Sequence, residues 1–270
     1  MPTLSYCPNP NYPRIACLTE EAVEILYLLG KSEHIIAISE YAKRPLGVEK
    51  LHPKVCHFLN GDVSQIVALK PDLVIGYSDV QIKLSAQLID AGLNVMIFNH
   101  RSLKEILNYI FLIGRMVGAE DKATQLVAKL KQKMELINLP PHRPKVYFEE
   151  WDHPQISSIQ WVSELIELCG GINITDHLSQ HFKSKDRIVT HEFILDSRPD
   201  IMLSCWCGKA MNKDSIVNRE GYGDLPFVKN NQLFELDPSI FLQPGPAPFI
   251  DGIDVLSKLF QNWSDLHANR

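Results

Sequence analysis

The chain has 270 residues, 45% of them hydrophobic and 22% charged, with a formal net charge of −5. This is ordinary globular composition, with apolar material for one large core or two modest ones. No basic run of the kind a phosphate backbone demands is present, so nucleic acid and an anionic membrane surface are both poor partners.

The opening stretch "MPTLSYCPNPNYPRIACLTEE" puts prolines and asparagines where a secretory signal needs a basic region and an unbroken apolar run. No later segment approaches the ~20 apolar residues of a membrane span. The expectation is a cytoplasmic protein without membrane insertion. Residues 15–18 read as a short buried strand, Thr19 as the cap of a helix with Glu20 and Glu21 in its first turn, and Gly30 as its stop. "HIIAIS" is a second strand, "SQIVALKPDLVIGY" a short helix followed by a third strand over 72–77, and "QLIDAGLNVMIF" repeats the pattern with a strand near 94–98. Strands alternating with helices predict a parallel sheet.

Residues 102–138 keep apolar positions at helical spacing, with "GAED" marking a local bend or a break into two helices. A second block then echoes the first: "KVYFEEW" a strand, "ISSIQWVSELIELCGG" a helix, "FILDSRPDIMLSCW" a helix start and strand, "QLFELD" a short strand and "FIDGIDVLSKLFQNW" a closing amphipathic helix. The expected fold is α/β, with two Rossmann-like lobes of parallel sheet joined by a long rigid helix and a ligand cleft between the lobes. The expected divisions are 1–100, a connecting helix over 101–140, and 141–270.

In open α/β sheets ligands sit beyond the carboxyl ends of the strands. There the second block places Glu149, Glu150, Trp151 and Asp152, either as acceptors for a ligand or as carboxylates for acid–base chemistry. Strand alternation allows at most one of the two glutamates to point into a given surface. In "SCWCGK", Trp206 is a candidate stacking platform and Lys209 a candidate anion contact, while Cys207 reads as a buried inert thiol. Most of the six cysteines read as buried and reduced. Arg219 and Tyr222 lie in a glycine-bearing loop that either closes over a ligand edge or is ordinary surface. "LQPGPAP" reads as a rigid turn presenting the Gln243 amide. His177 and His181 are four apart, but no third ligand is evident; no metal site and no required cofactor are expected.

The segments "YPRIACLTEEAVEILYLLG", "AISEYAKRP", "DVSQIVALKPDLVIGY", "LIDAGLNVMIF", "ELIELCGGINI" and "LQPGP" together resemble the class III substrate-binding proteins of ABC importers, over about residues 13–262. Within that set the chain looks most like the cobalamin-binding branch. The resemblance implies a small-molecule ligand, cobalamin or a related corrinoid. Its aromatic contacts would come from Tyr41, Phe58 and Tyr77 in the first lobe, and from Trp151, Trp206 and the stretch from Phe241 to Gln243 in the second. The family docks on its transporter through one exposed glutamate per lobe. Glu167 matches the second, whereas His52-Pro53-Lys54 stands where the first belongs, with Glu49 nearby. That departure and the expected cytoplasmic location make transporter docking doubtful. The leading expectation is a cytoplasmic corrinoid binder. The alternatives are a hydrolase or other enzyme acting on a nucleotide-like or glycosidic ligand through Glu149, Glu150 and Asp152, and a conventional importer subunit.

Overall fold

A computed structural model describes residues 13–268. The chain forms two compact units: residues up to His100 together with Leu107–Ala128, and Arg101–Ile106 together with the chain from Lys129 onward.

The N-terminal unit is built on five parallel strands, β1 (Ile15–Cys17), β2 (Ile35–Ser39), β3 (Lys54–Cys56), β4 (Leu73–Tyr77) and β5 (Val95–Phe98), in the order β3-β2-β1-β4-β5. The central strand β1 is wholly buried and pairs on both sides, Ile15 with Ile35 and Leu73. Its uninterrupted apolar run is what a strand covered on both faces requires. Helix α1 (Glu20–Leu28) follows β1, α2 (Val63–Ala68) follows β3, and α3 (Ile82–Asp90) follows β4. Asp62 caps α2 by accepting from the Gln65 backbone N–H at 3.0 Å. Ala16, Leu18, Ala37, Ile66, Val74 and Leu88 form the core beneath these helices.

The connecting segment, expected as a long helix with a bend or a break at "GAED", is two helices, α4 (Leu103–Met116) and α5 (Glu120–Glu135). Gly118 lies between them at φ +65°, and this left-handed residue closes α4 before the acidic first turn of α5. The unit boundaries fall inside both helices, after Ile106 and after Ala128.

The C-terminal unit carries β6 (Lys145–Asp152), β7 (Gln155–Ser157), α6 (Gln160–Leu168), β8 (Ile172–Asn173), β9 (Ile201–Ser204) and β10 (Leu233–Glu235). The strand order is β10-β9-β6-β7, with β8 also pairing β6. β8, β9 and β10 pair in parallel as expected, but β7 does not: it turns back after His153-Pro154 and runs antiparallel to the end of β6, Asp152 opposite Gln155. The second sheet is therefore mixed. Ile156 and Ser157, read as the start of a helix, belong to a strand with Gln155 because two residues suffice to reverse the chain and pair it with β6, and the helix begins only at Gln160. Helix Ile253–Ala268 closes the unit, burying Phe260 and Leu256. Among the described residues, no helix is long and apolar enough to cross a membrane.

In the N-terminal unit a Cβ added at Gly114 on α4 would lie 2.3 Å from the Ala123 Cβ on α5. Gly114→Val is expected to cost ~1–3 kcal/mol by forcing these helices apart. Urea denaturation measures this, and an unchanged midpoint would contradict the close helix approach.

Candidate functional site

Strand order reverses between β1 and β4 in the N-terminal sheet, and between β6 and β9 in the C-terminal sheet. The carboxyl ends of these pairs are where an open sheet leaves a crevice.

At the end of β6 each carboxylate has its own cation. Glu149 is wholly buried and is clasped by Arg219, with Nη1 at 2.6 Å from Oε2 and Nη2 at 2.9 Å from Oε1. Tyr147 donates its hydroxyl to Glu149 at 3.0 Å, Trp206 its indole N–H at 3.2 Å and Gln155 its amide at 3.3 Å. Five donor contacts fill the lone-pair sites of one carboxylate. On the other side of the strand Glu150 pairs with Arg187, a buried guanidinium whose Nη1 is 2.6 Å away and also donates to the Ser157 carbonyl. Asp152 pairs with Lys209 at 2.6 Å. The Lys209 ammonium lies 4.8 Å from the Trp206 ring centre and 5.4 Å from that of Trp151, near enough for cation–π attraction.

Three acids and three bases thus make a neutral strand end. Burial works against the Arg219 charge, but the hydrogen bond and charge of Glu149 outweigh it and raise its pKa. Burial pushes the Tyr147 phenol well up, and the Glu149 charge adds to that. At Asp152 burial raises the pKa, yet the Lys209 hydrogen bond and charge win and leave it lowered.

The aromatics assigned to the ligand divide by exposure. Trp206, Tyr222 and Phe241 are buried within the C-terminal unit, at 2% exposure or less. Tyr222 is stacked on His191 and takes a hydrogen bond from Gln155 at 2.7 Å. Phe241 offers its carbonyl to the Trp161 indole. Trp151 and Glu150 are half-buried and Lys209 and Cys207 exposed, so Trp151 and Lys209 are among the groups at this strand end that a ligand can reach. Gln243 is buried and its Oε1 has no hydrogen-bond donor. Glu167 is partly exposed but held by Arg143 at 2.7 Å, and it accepts from the Asn173 backbone at 2.7 Å.

In the N-terminal unit Tyr77 is buried and donates to the His100 carbonyl at 2.8 Å. Gln81 ties the strand ends together: its amide donates to the carbonyls of Leu18 and Phe58, each at 3.1 Å, and accepts from the Tyr77 backbone at 2.9 Å. Tyr41 is exposed and Phe58 half-buried. Nearby, Glu40 and His57, 2.7 Å apart, line a cavity of ≈ 350 Å³ with Lys54, Asn60 and Asp62.

Among the described residues, no cluster of three or more His, Cys, Asp or Glu side chains could hold a metal, and His177 and His181 are exposed. Cys17, Cys56, Cys169 and Cys205 are buried free thiols, while Cys7 lies outside the described residues. Cys207 is exposed rather than buried, because the chain leaves the sheet at Cys205 and turns outward. Arg187, Tyr147 and Gln155 were not singled out from sequence. Tyr147 and Gln155 had a signal: each sits within six positions of Glu149 on a strand or its return. Arg187 had none.

A family model described as Periplasmic binding protein matches residues 15–240, and the chain belongs to that family. The lipoprotein YvrC of Bacillus subtilis (strain 168), named an uncharacterized ABC transporter substrate-binding lipoprotein, is 26% identical over 258 residues, covering 91% of this chain and 79% of its own. A vitamin B12-binding protein of Vibrio vulnificus (strain CMCP6) is 26% identical over 252 residues, covering 88% and 86%. Among solved structures, the apo periplasmic heme-binding protein RhuT from Roseiflexus sp. RS-1 matches with a TM-score of 0.78 at 22% identity, over 93% of this chain and 98% of its own. The periplasmic vitamin B12-binding protein BtuF of Vibrio cholerae matches with a TM-score of 0.68 at 22% identity, over 96% and 98%. These two likenesses bear on the fold.

Arg219→Met strands a buried carboxylate and is expected to cost ~3–5 kcal/mol. Lys209→Met, at a pair whose cation is exposed although Asp152 is buried, should cost less than that. Denaturant titration of both variants checks this ranking, and equal losses would contradict it.

Proposed function

We propose that this protein is the substrate-binding component of an ABC-type importer and that its ligand is a corrinoid or a similar large ring. The observation that carries the reading is the alignment with vitamin B12-binding proteins along most of both chains. Side-chain chemistry supports it. Tyr41, Phe58 and Trp151 offer aromatic surface at strand ends, and Lys209 offers N–H donors beside Trp151. A corrin ring is broad and partly apolar with amide arms, so aromatic faces with a few polar groups suit it.

Transporter docking, doubtful from sequence, belongs to this proposal because a relative is named an ABC transporter substrate-binding lipoprotein. The cytoplasmic location is not carried forward: relatives and fold neighbours are named lipoprotein or periplasmic. If docking uses Glu167, it uses an Arg143-held carboxylate rather than a free one. Acid–base chemistry is disfavoured at the end of β6. A general acid or base needs a proton it can exchange with substrate, and Glu149, Glu150 and Asp152 are each committed to a cation.

Calorimetric titration with cyano-, hydroxo- and adenosylcobalamin, cobinamide and hemin tests the ligand. Micromolar or tighter corrinoid binding is expected, weakened about tenfold by Trp151→Ala through lost ring contact. Heat with hemin alone would move the ligand to porphyrins, and no heat with any ring would overturn the reading.

A further inference from the structure

The first two turns of α1 bury acids that the ligand reading does not use. Glu20 is 6% exposed, Glu21 2% and Glu24 4%. Glu24 has a counter-ion, Arg44, at 2.6 Å. Glu20 has the Ser39 hydroxyl of β2 at 3.5 Å, a weak contact. Glu21 Oε1, the Thr19 hydroxyl and the Tyr109 hydroxyl of α4 are buried without a well-formed hydrogen bond, although the Thr19 hydroxyl lies close enough to Glu21 to offset part of the burial effect on its pKa. Thr19 stands at the N-cap, yet its side chain makes no capping bond.

Among the described residues, the titratable groups that act on this pair bring it no positive charge. Cys17 on β1 and Tyr109 face Glu21, Cys56 on β3 faces Glu20, and the Tyr109 ring stacks on His100 at 4.3 Å. Burial raises both thiols and the phenol, so they stay neutral and bring no positive charge. The helix N-terminus favours an anion by only ~0.3–1 kcal/mol. Desolvating a carboxylate costs several times that, and a neighbouring acid adds repulsion. Burial accordingly raises Glu20 to about 7, and burial together with Glu20 raises Glu21 to about 8.

We propose that the first turn of α1 is a proton-held latch: Glu20 and Glu21 stay packed at the carboxyl end of β1 while they carry protons, and the turn is driven toward water when both ionise. The turn follows β1 at the strand-order reversal of the N-terminal sheet. Its release would therefore reshape the end of the sheet where Tyr77 and Gln81 are anchored, giving a pH-dependent conformation of this unit whatever ligand it takes.

The sign follows from linkage. The packed turn binds more protons than the released turn, so its stability is fully present below the ordinary carboxylate pKa. It is lost as pH rises through about 7 for Glu20 and about 8 for Glu21. Opening should grow about tenfold per pH unit for each protonated carboxyl, then flatten above about pH 8.

Amide hydrogen exchange by mass spectrometry, on ligand-free protein from about pH 5.5 to about pH 9 and corrected for chemical exchange, reads this directly over residues 15–29. The parent protein should open more than tenfold further across that range, and E20Q/E21Q should show a flat corrected profile. Parallel profiles in parent and variant would overturn the latch. Should E20Q/E21Q fail to fold, carbon-13 titration of glutamate carboxyls in the parent decides. Resonances titrating above about pH 6.5 support the latch, and titration of every glutamate below about pH 5.5 overturns it. Neither readout uses ligand, so failure here leaves the corrinoid reading standing, and the reverse.

Discussion

A fully buried carboxylate at Glu149 sets what the C-terminal unit has to build around it. Removing a carboxylate from water costs several kcal/mol unless charge and hydrogen bonds replace the solvent. The replacement comes from four directions: Arg219 from a loop seventy positions on, Trp206 from the end of β9, Tyr147 from the same strand, and Gln155 from β7. The antiparallel hairpin is therefore part of the solution. It returns Gln155 to the Glu149 carboxylate, and it sets Ser157 where its carbonyl accepts from Arg187, which then reaches Glu150. Loops that would otherwise be free to wander are tied to one strand end.

The N-terminal unit settles the same problem by different chemistry. Its strand ends are bound together by the neutral Gln81 amide, which spans β1, β4 and the Phe58 loop. Its buried acids outnumber the cation bonded to them. One strand end reaches neutrality by pairing ions and the other by holding protons.

Much of the fold is legible in the sequence because buried parallel strands must be unbroken apolar runs. "RIACL", "HIIAIS" and "LVIGY" have few other uses. β7 escaped because three residues carry too little periodicity to be told from the start of a helix. The site was legible by location more than by role. Strand-end reasoning found Glu149, Trp206 and Phe241, and a glycine-bearing loop gave Tyr222; the resemblance put Trp206 and the Phe241 stretch against a ligand, and all three aromatics are packed inside their unit. A tryptophan or tyrosine can sit in a core when its polar tip finds a partner. Those partners lie far off in sequence: Trp206 bonds a residue 57 positions away, and Tyr222 one 67 positions away. Arg187 stayed invisible for the same reason. Glu20 and Glu21 were read as ordinary first-turn acids, since the sequence records helix position but not depth.

The division of α4 and α5 bears on how the protein is made. The chain leaves the N-terminal unit at His100, spends Arg101–Ile106 in the other unit, and returns for Leu107–Ala128. Tyr109, Ile110 and Ile113 are buried core residues within that returning segment. During vectorial synthesis the first sheet therefore emerges before the helices that complete its unit, and its apolar surface waits for residues still in the exit tunnel. Domains commonly fold as they leave the ribosome, N-terminal first. Here the two units share a stretch of chain, so neither can be excised as a contiguous fragment, and completion of the first is tied to the translation of helices that also serve the second.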